Sequence, residues 1–185
     1  MNRHETILRR GDVILLVIDY QEKFIGVMEH SDSVTFAIKR IVQGMNLLHE
    51  PVLITEQYPK GLGHTIPEII EQCGDAAVVE KMTFSCCGKD EFWKILKNSK
   101  RKQLIITGIE THVCVLQTVL DLLANGYQVH IPLDATCSRS DSNRDNALSR
   151  MEKVGAIITN SESVLFELLV EAGTDEFKAV RKLIV

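Results

Sequence analysis

Short apolar runs alternate with amphipathic segments from the start of the chain. Val13–Asp19 is apolar up to its last residue and follows the charged Asp12, which is typical of a strand buried on both faces. From Ser33 to Glu50, apolar residues recur at helical spacing, with Asp32 or Ser33 as the expected cap. The pattern therefore predicts a buried strand followed by an amphipathic helix.

The same alternation continues to the end of the chain. It predicts five more strands, at Val52–Thr55, Ala77–Glu80, Gln103–Thr107, Val129–Leu133 and Ala156–Thr159. It predicts helices at Pro67–Gln72, Asp90–Asn98, Thr111–Asn125 (closed by a left-handed cap at Asn125-Gly126) and Ser142–Val154, then two short C-terminal helices. Six strands alternating with helices favour right-handed crossovers and a parallel sheet covered on both faces. The expected fold is a three-layer α/β/α domain with Rossmann-like strand order 3-2-1-4-5-6.

The ends of the predicted strands indicate where chemistry belongs. In open parallel sheets, ligands bind beyond the carboxyl ends of the strands. That rule selects five segments, namely 19–21, 56–58, 81–83, 108–114 and 134–138. Three residues in them carry reactive or charged groups in notable positions: Asp19, Lys81 and Cys114.

Composition narrows the class of protein. The chain has 185 residues, 45% of them hydrophobic and 25% charged, which favours one globular domain over residues 1–185. A net charge of −4 argues against nucleic acid as a partner. The apolar run from Val13 is too short to span a membrane and lacks the cleavage site of a signal peptide. Five cysteines without C-x-x-C spacing favour a cytoplasmic protein with free thiols.

Cys114 lies in the first turn of a predicted helix, where the helix dipole and free amide groups stabilise a thiolate. On position alone, a small buried side chain is the more common role for such a cysteine. Asp19 ends an apolar strand, so its carboxylate either caps the next loop or takes part in catalysis. Lys81 ends the third strand and is either a solvated terminus or the cation of the same site. Together these groups suit acyl transfer through a nucleophilic thiol.

Three motifs contain these residues in order: VIDYQEKF at 17–24, EKMTFSCC at 80–87 and GIETHVCV at 108–115. Over Asp12–Leu169 the chain resembles the isochorismatase-like cysteine hydrolases, a superfamily that includes the nicotinamidases. The resemblance implies a catalytic triad of Asp19, Lys81 and Cys114. It also implies a cis peptide bond at Ile109–Glu110 and an oxyanion hole made by the amides of Glu110 and Cys114.

The segment TEQYPKGLGHT at 55–65 departs from the nicotinamidase pattern. Nicotinamidases hold a divalent metal there with an aspartate and paired histidines, whereas only His64 remains in this chain. One imidazole is not a metal site. The resemblance is to a small branch with TFS and GIETHVC motifs, and we expect neither a metal nor another cofactor.

The resemblance and the residues together imply hydrolysis of a small amide or related acyl compound through a cysteine thioester. Candidate pocket residues are Tyr20, Phe24, Tyr58 and Phe84, although core packing is equally compatible with each. The alternative is a catalytically silent scaffold or partner-binding protein with the same fold. We also expect a homo-oligomer, because the family forms oligomers and the segments SVLFELLVEAG and VRKLIV are rich in apolar residues.

Overall fold

The computed structural model describes residues 3–184; Met1, Asn2 and Val185 lie outside the described residues, including the last residue of the VRKLIV segment. All six strands join one parallel sheet in the order β3-β2-β1-β4-β5-β6, which confirms the expected topology. The strands are β1 (Val13–Ile18), β2 (Val52–Gln57), β3 (Ala77–Lys81), β4 (Gln103–Gly108), β5 (Gln128–Pro132) and β6 (Ile157–Thr159).

Helices cover both faces of the sheet. They are α1 (Glu22–Ile25), α2 (Ser31–Leu47), α3 (Pro59–Leu62), α4 (Pro67–Ile70), α5 (Asp90–Ser99), α6 (Leu116–Ala124), α7 (Asp141–Lys153), α8 (Ser161–Leu169) and α9 (Asp175–Arg181). Short 3₁₀ turns occupy Cys86–Gly88 and Leu133–Ala135, and a π-helical turn at Thr111–Val115 precedes α6. None of the described helices combines the length and apolar character that crossing a bilayer requires.

The side chains of β1 divide the core into two clusters because successive residues of a strand point to opposite faces. Val13, Leu15 and Val17 pack with α2, α4, α8 and α9. Ile14, Leu16 and Ile18 pack on the other face with α5, α6 and α7. The strand is buried on both faces, as its continuous apolar sequence predicts.

Three predicted boundaries are wrong in informative ways. The helix α2 begins at Ser31, and His30 in a left-handed conformation takes the cap position expected for Asp32 or Ser33. The stretch Pro59–Leu62, to which the sequence pattern assigns neither strand nor helix, forms a helical turn with proline at its start. The helix expected from Thr111 begins with a π turn, in which the Val115 amide donates to the Glu110 carbonyl.

The apolar segment expected to form an oligomer surface is mostly core. Val164, Leu165, Leu168 and Leu169 of α8 are buried against the sheet, because the helix turns this face inward. Phe166 of this helix and Val170 just after it are exposed. Most apolar residues of this segment therefore belong to the core of one chain, and the homo-oligomer remains a prediction.

Candidate active site

Asp19 follows β1 and lies at the carboxyl edge of the sheet. Its backbone adopts φ +49°, a left-handed conformation that aspartate tolerates better than most residues. The Asp19 amide donates to the Thr55 carbonyl at 3.0 Å, and the Gln21 amide donates to the Asp19 carbonyl at 2.8 Å. The chain therefore leaves the sheet here in a fixed turn, and the Asp19 side chain is fully buried.

Both oxygens of the Asp19 carboxylate accept hydrogen bonds from neighbouring strands. Lys81 Nζ, at the end of β3, donates to Oδ2 at 2.6 Å, and neither side chain is exposed. Thr55 Oγ1, on β2, donates to Oδ1 at 2.8 Å. A buried carboxylate requires such partners, so these contacts satisfy both oxygens of Asp19 and fix its orientation.

Lys81 is surrounded by oxygen acceptors. Besides Asp19, its ammonium group donates to Gln57 Oε1 at 2.9 Å, the Phe84 carbonyl at 3.0 Å and the Thr83 carbonyl at 3.2 Å. An ammonium group has three protons, so these four acceptors engage all of them. Burial is the largest single influence and lowers the pKa of Lys81, but the charge of Asp19, the hydrogen bond to it and the nearby Cys86 and Cys114 together outweigh burial, so the pKa is raised. Lys81 therefore acts on Cys114 through its charge and through Asp19.

The turn that carries Cys114 is held close to β1 and to the loop after β5. Gly108 has φ +111°, and a Cβ at this position would lie 2.1 Å from the Ile18 carbonyl oxygen, so only glycine fits. The Ile109–Glu110 peptide bond is cis. Both the amide and the hydroxyl of Thr111 donate to the Cys137 carbonyl, at 3.0 and 2.9 Å. These contacts place Cys114 beside Asp19.

The environment of Cys114 favours a protonated thiol at rest. Burial raises its pKa most, the Asp19 charge and a hydrogen bond to that carboxylate raise it further, and Lys81 opposes them only in part. The helix N-terminus was expected to stabilise a thiolate, but the pKa is shifted in the other direction. Burial and the nearby Asp19 charge together outweigh the effect of Lys81. The site thus holds a thiol beside a carboxylate that can take its proton.

A cavity of about 450 Å³ opens onto Cys114, within the size range of small-molecule sites. Three of the four candidate pocket residues line it: Phe24, Tyr58 and Phe84. Its other lining residues are Gln57, Leu62, Met82, Glu110, Val113 and Arg139. Most of these side chains are apolar.

Tyr20, the fourth candidate, does not line this cavity. Its side chain is fully buried among the core residues on the α2 face, whereas Cys114 belongs to the cluster on the opposite face. The Tyr20 hydroxyl donates to the Ser31 carbonyl at 2.9 Å and lies 2.8 Å from Thr35 Oγ1. Burial accordingly raises the pKa of Tyr20. Because the chain turns at Asp19, the Asp19 side chain points toward Lys81 and Cys114, whereas the adjacent Tyr20 side chain packs in the core on the α2 face.

Sequence reasoning missed several polar residues of the site. Gln57 contacts Lys81, and Gln21 in turn binds the main chain of Gln57 at its amide (2.7 Å) and its carbonyl (3.0 Å). Arg139 Nε donates to Glu110 Oε2 at 2.9 Å at the edge of the cavity. Polar residues at the buried carboxyl end of β2 were the available signal for Thr55 and Gln57, whereas nothing local marks Arg139.

His64 has a partner other than a metal. Its Nδ1 lies 2.9 Å from Glu56 Oε2, and this hydrogen bond raises the pKa of the exposed imidazole. Glu56 Oε1 also accepts from the amide and hydroxyl of Thr65 at 2.7 and 2.9 Å. The pair therefore ties the loop before α4 to β2. Neither residue lines the cavity at Cys114.

A thiol, a carboxylate and an ammonium at the carboxyl edge of a parallel sheet form a site suited to nucleophilic chemistry. The amino-acid sequence supports an enzyme of this kind, because residues 13–163 match the Isochorismatase domain family. The chain belongs to that family. One relative, the secreted isochorismatase effector Isc1 of Phytophthora sojae, is 42% identical over 175 residues, covering 92% of this chain and 83% of its own.

Two solved structures extend the comparison. A structure described as the MAR1 ribonuclease of Caenorhabditis elegans superposes with a TM-score of 0.92 and 38% identity, over 96% of this chain and 92% of its own. YcaC from Pseudomonas aeruginosa, solved with hexane-2,5-diol and covalent acrylamide, gives a TM-score of 0.91 and 25% identity, over 98% of this chain and 93% of its own. The protein therefore has the isochorismatase-like hydrolase fold.

Proposed function

We propose that the protein hydrolyses a small amide or related acyl compound through a thioester on Cys114. The observation that carries the proposal is that Cys114 lines the cavity while the buried Asp19 carboxylate, held by Lys81 and Thr55, is near enough to add to the effect of burial on the pKa of its thiol. This pair supplies a nucleophile and a nearby base, which is what covalent acyl transfer requires. Lys81 keeps the base ionised.

In the proposed reaction, Asp19 takes the Cys114 proton as sulfur attacks the amide carbonyl. The amides of Glu110 and Cys114 stabilise the resulting oxyanion. Asp19 then gives its proton to the leaving nitrogen as the C–N bond breaks, so the products of this step are a thioester and an amine. Water, deprotonated by Asp19, attacks the thioester, and the thiol leaves with the proton. Catalysis therefore uses one base twice.

The lining of the cavity favours a neutral substrate with an apolar substituent. Leu62, Met82, Phe84 and Val113 supply apolar contact, while the charged Glu110 and Arg139 form an ion pair with each other. An ionised substrate would have to compete with that pair. We therefore propose an uncharged amide whose acyl group contacts the apolar side chains.

Two relatives bear on the proposal. Acrylamide adds to nucleophiles at its C=C bond, so its covalent attachment in the YcaC structure supports a reactive nucleophile in a related fold and not a choice of amide. The ribonuclease name of the C. elegans protein suggests RNA. The net charge of −4 disfavours a phosphate backbone, so we use RNA as the contrast substrate.

The test is a hydrolysis screen of neutral primary amides with increasing alkyl or aryl groups, an anionic amide of matched size and a single-stranded RNA. We expect ammonia release from the apolar amides, trapping of an acyl adduct on Cys114, and no activity in Cys114→Ala. Cleavage of RNA alone would replace the proposal. Absence of turnover with every compound would favour the silent scaffold, in which the fold serves partner binding.

A further inference from the structure

Thr55 holds Asp19 by two contacts, one from its main chain and one from its side chain. It lies on β2 opposite Ile18 of β1, and it is fully buried. Its carbonyl accepts the Asp19 amide at 3.0 Å, and its hydroxyl donates to Asp19 Oδ1 at 2.8 Å. A threonine at this place therefore fixes both the turn and the carboxylate of the base.

A third group, the Cys86 thiol, favours donation from the Thr55 hydroxyl to Asp19. The Cys86 thiol, which is fully buried, lies 3.7 Å from Thr55 Oγ1 and is placed to donate to it. A thiol is a weak donor, but this bond occupies a lone pair of the hydroxyl oxygen. The proton of the Thr55 hydroxyl is then directed at Asp19. The three groups form a chain from Cys86 through Thr55 to the carboxylate.

Lys81 and Thr55 act on different oxygens of Asp19, Oδ2 and Oδ1 respectively. Rotation of the carboxyl group would break both bonds, so the pair fixes its plane relative to Cys114. Hydrogen bonds to the ionised form also favour that form. We infer that Thr55 is a positioning residue that keeps Asp19 ionised and aligned to accept the Cys114 proton. This inference rests on the proposed role of Asp19 as the base.

If Thr55 positions Asp19, its replacement should change how the rate of Cys114 alkylation depends on pH, whereas a loss of packing should not. The titratable groups around Asp19 are Lys81 from β3, Cys114 from the turn before α6 and Cys86 from the 3₁₀ turn. A thiol that gives its proton to a carboxylate is inactive toward alkylation when both groups carry protons. Without the Thr55 hydroxyl, the doubly protonated state persists to higher pH.

The experiment measures the rate of Cys114 alkylation by iodoacetamide from about pH 4 to about pH 9, the span of carboxyl and thiol titration. Peptide mass mapping assigns the label to each cysteine. In Thr55→Val, which keeps the shape of the side chain, the lower inflection of the rate profile should move up by about one to two pH units. Thr55→Ala should shift it in the same direction, and Thr55→Ser should restore it.

The matched control is Thr107→Val. Thr107 is also a fully buried threonine of the same sheet, but its hydroxyl donates to the Leu16 carbonyl at 3.3 Å and not to Asp19. Its replacement should lower stability without moving the inflection. An unchanged inflection in folded Thr55→Val and Thr55→Ala, or an equal shift in Thr107→Val, overturns the positioning role.

Alkylation does not require hydrolysis, so failure of this inference is distinguishable from failure of the proposed function. If Asp19→Asn removes the lower inflection while Thr55→Val leaves it unchanged, Asp19 remains the base and only the role of Thr55 is wrong. If Asp19→Asn also leaves the profile unchanged, the proposed base is wrong and the inference falls with it.

Discussion

Asp19 Oδ2 and Lys81 Nζ lie 2.6 Å apart, and neither side chain exposes any surface to solvent. Removing one member of such a pair leaves a buried charge without its counter-charge. Each group therefore depends on the other for stability as well as for chemistry. Stability and reactivity at this site are coupled.

Lys81→Met should lower the free energy of unfolding by about 3–5 kcal/mol, because Asp19 loses its buried partner. It should also shift Cys114 alkylation to higher pH, since Lys81 is the charge that lowers the pKa of that thiol. Urea denaturation and the alkylation profile measure the two effects. The double variant Asp19→Asn/Lys81→Met is the control and should recover part of the lost stability; an additive double variant would show that the groups are not coupled.

Cys114 should be the first cysteine to react with substoichiometric iodoacetamide at neutral pH. Burial raises the pKa of Cys73 and Cys86 to about 11 and that of Cys137 to about 12, and it raises the pKa of Cys114 as well. The preference for Cys114 therefore depends on its access from the cavity and on the nearby Asp19 carboxylate, which can take the thiol proton. Asp19→Asn should slow its labelling at neutral pH but not at strongly alkaline pH. Peptide mapping decides the order, and faster labelling of Cys87, which is partly exposed, would contradict it.

Acid should destabilise the protein partly through His130. Burial lowers its pKa to about 4, and Nδ1 has no hydrogen-bond partner among the described residues. The unfolded chain takes up this proton near pH 6.5, so stability present above that pH falls by about 1.4 kcal/mol per unit as the pH drops toward 4.

The measurement is the urea midpoint of wild type and His130→Gln at neutral and mildly acidic pH. Glutamine keeps a donor for Gln128 but does not titrate, so the variant should lose less stability on acidification. Other titrating groups, including His64, are common to both proteins and cancel in the difference. Parallel curves for the two proteins would exclude His130 as the source.

Removal of divalent metals should leave Cys114 alkylation and any amide hydrolysis unchanged. Besides the Cys114 thiol, the residues that line the cavity offer Glu110, already paired with Arg139, and Gln57, already bound to Lys81. Glu29, His30 and Asp141 lie close enough together to share an ion, but none of them lines that cavity. Prolonged dialysis against a chelator, followed by elemental analysis, tests this. Activity that is lost and then restored by zinc or iron would contradict the expectation.

The protein should form a homo-oligomer at micromolar concentration. The described surface exposes several large apolar side chains, among them Phe36, Met82, Phe84 and Val170. Such residues are common at interfaces between copies of a chain. Light scattering coupled to size exclusion measures the mass, and the mass of a single chain would contradict the prediction. Phe36→Ser and Val170→Ser, made separately, would then locate the interface.

The strand pattern was accessible from sequence because a strand buried on both faces must be continuously apolar. VILLVI at β1 has this character, as does the central LII of β4, and their alternation with amphipathic helices predicts a parallel sheet. Boundaries were less accessible. Leu133 was expected to end β5 but begins a 3₁₀ turn, because backbone geometry beyond the last ladder bond is decided by the packing of the loop.

The chemistry of the site was only partly accessible. The three motifs pointed to Asp19, Lys81 and Cys114, and the types of these residues gave the chemical groups available. The protonation state of Cys114 required coordinates, because it depends on burial and on contact with Asp19 rather than on helix position. Tyr20 was misplaced for a related reason, since the turn at Asp19 decides which face of the sheet receives its ring.

The sequence by itself determined the alternation of strands and helices and hence the fold class, because apolar periodicity is a local property of the chain, and its three motifs implied the triad of Asp19, Lys81 and Cys114 through resemblance to a family. Tertiary structure alone decided that Thr55 bonds to Asp19, that Gln57 bonds to Lys81 and that Arg139 borders the cavity. These contacts join residues far apart in the chain. Their distances and burial depend on how the strands and helices pack, which no local pattern specifies.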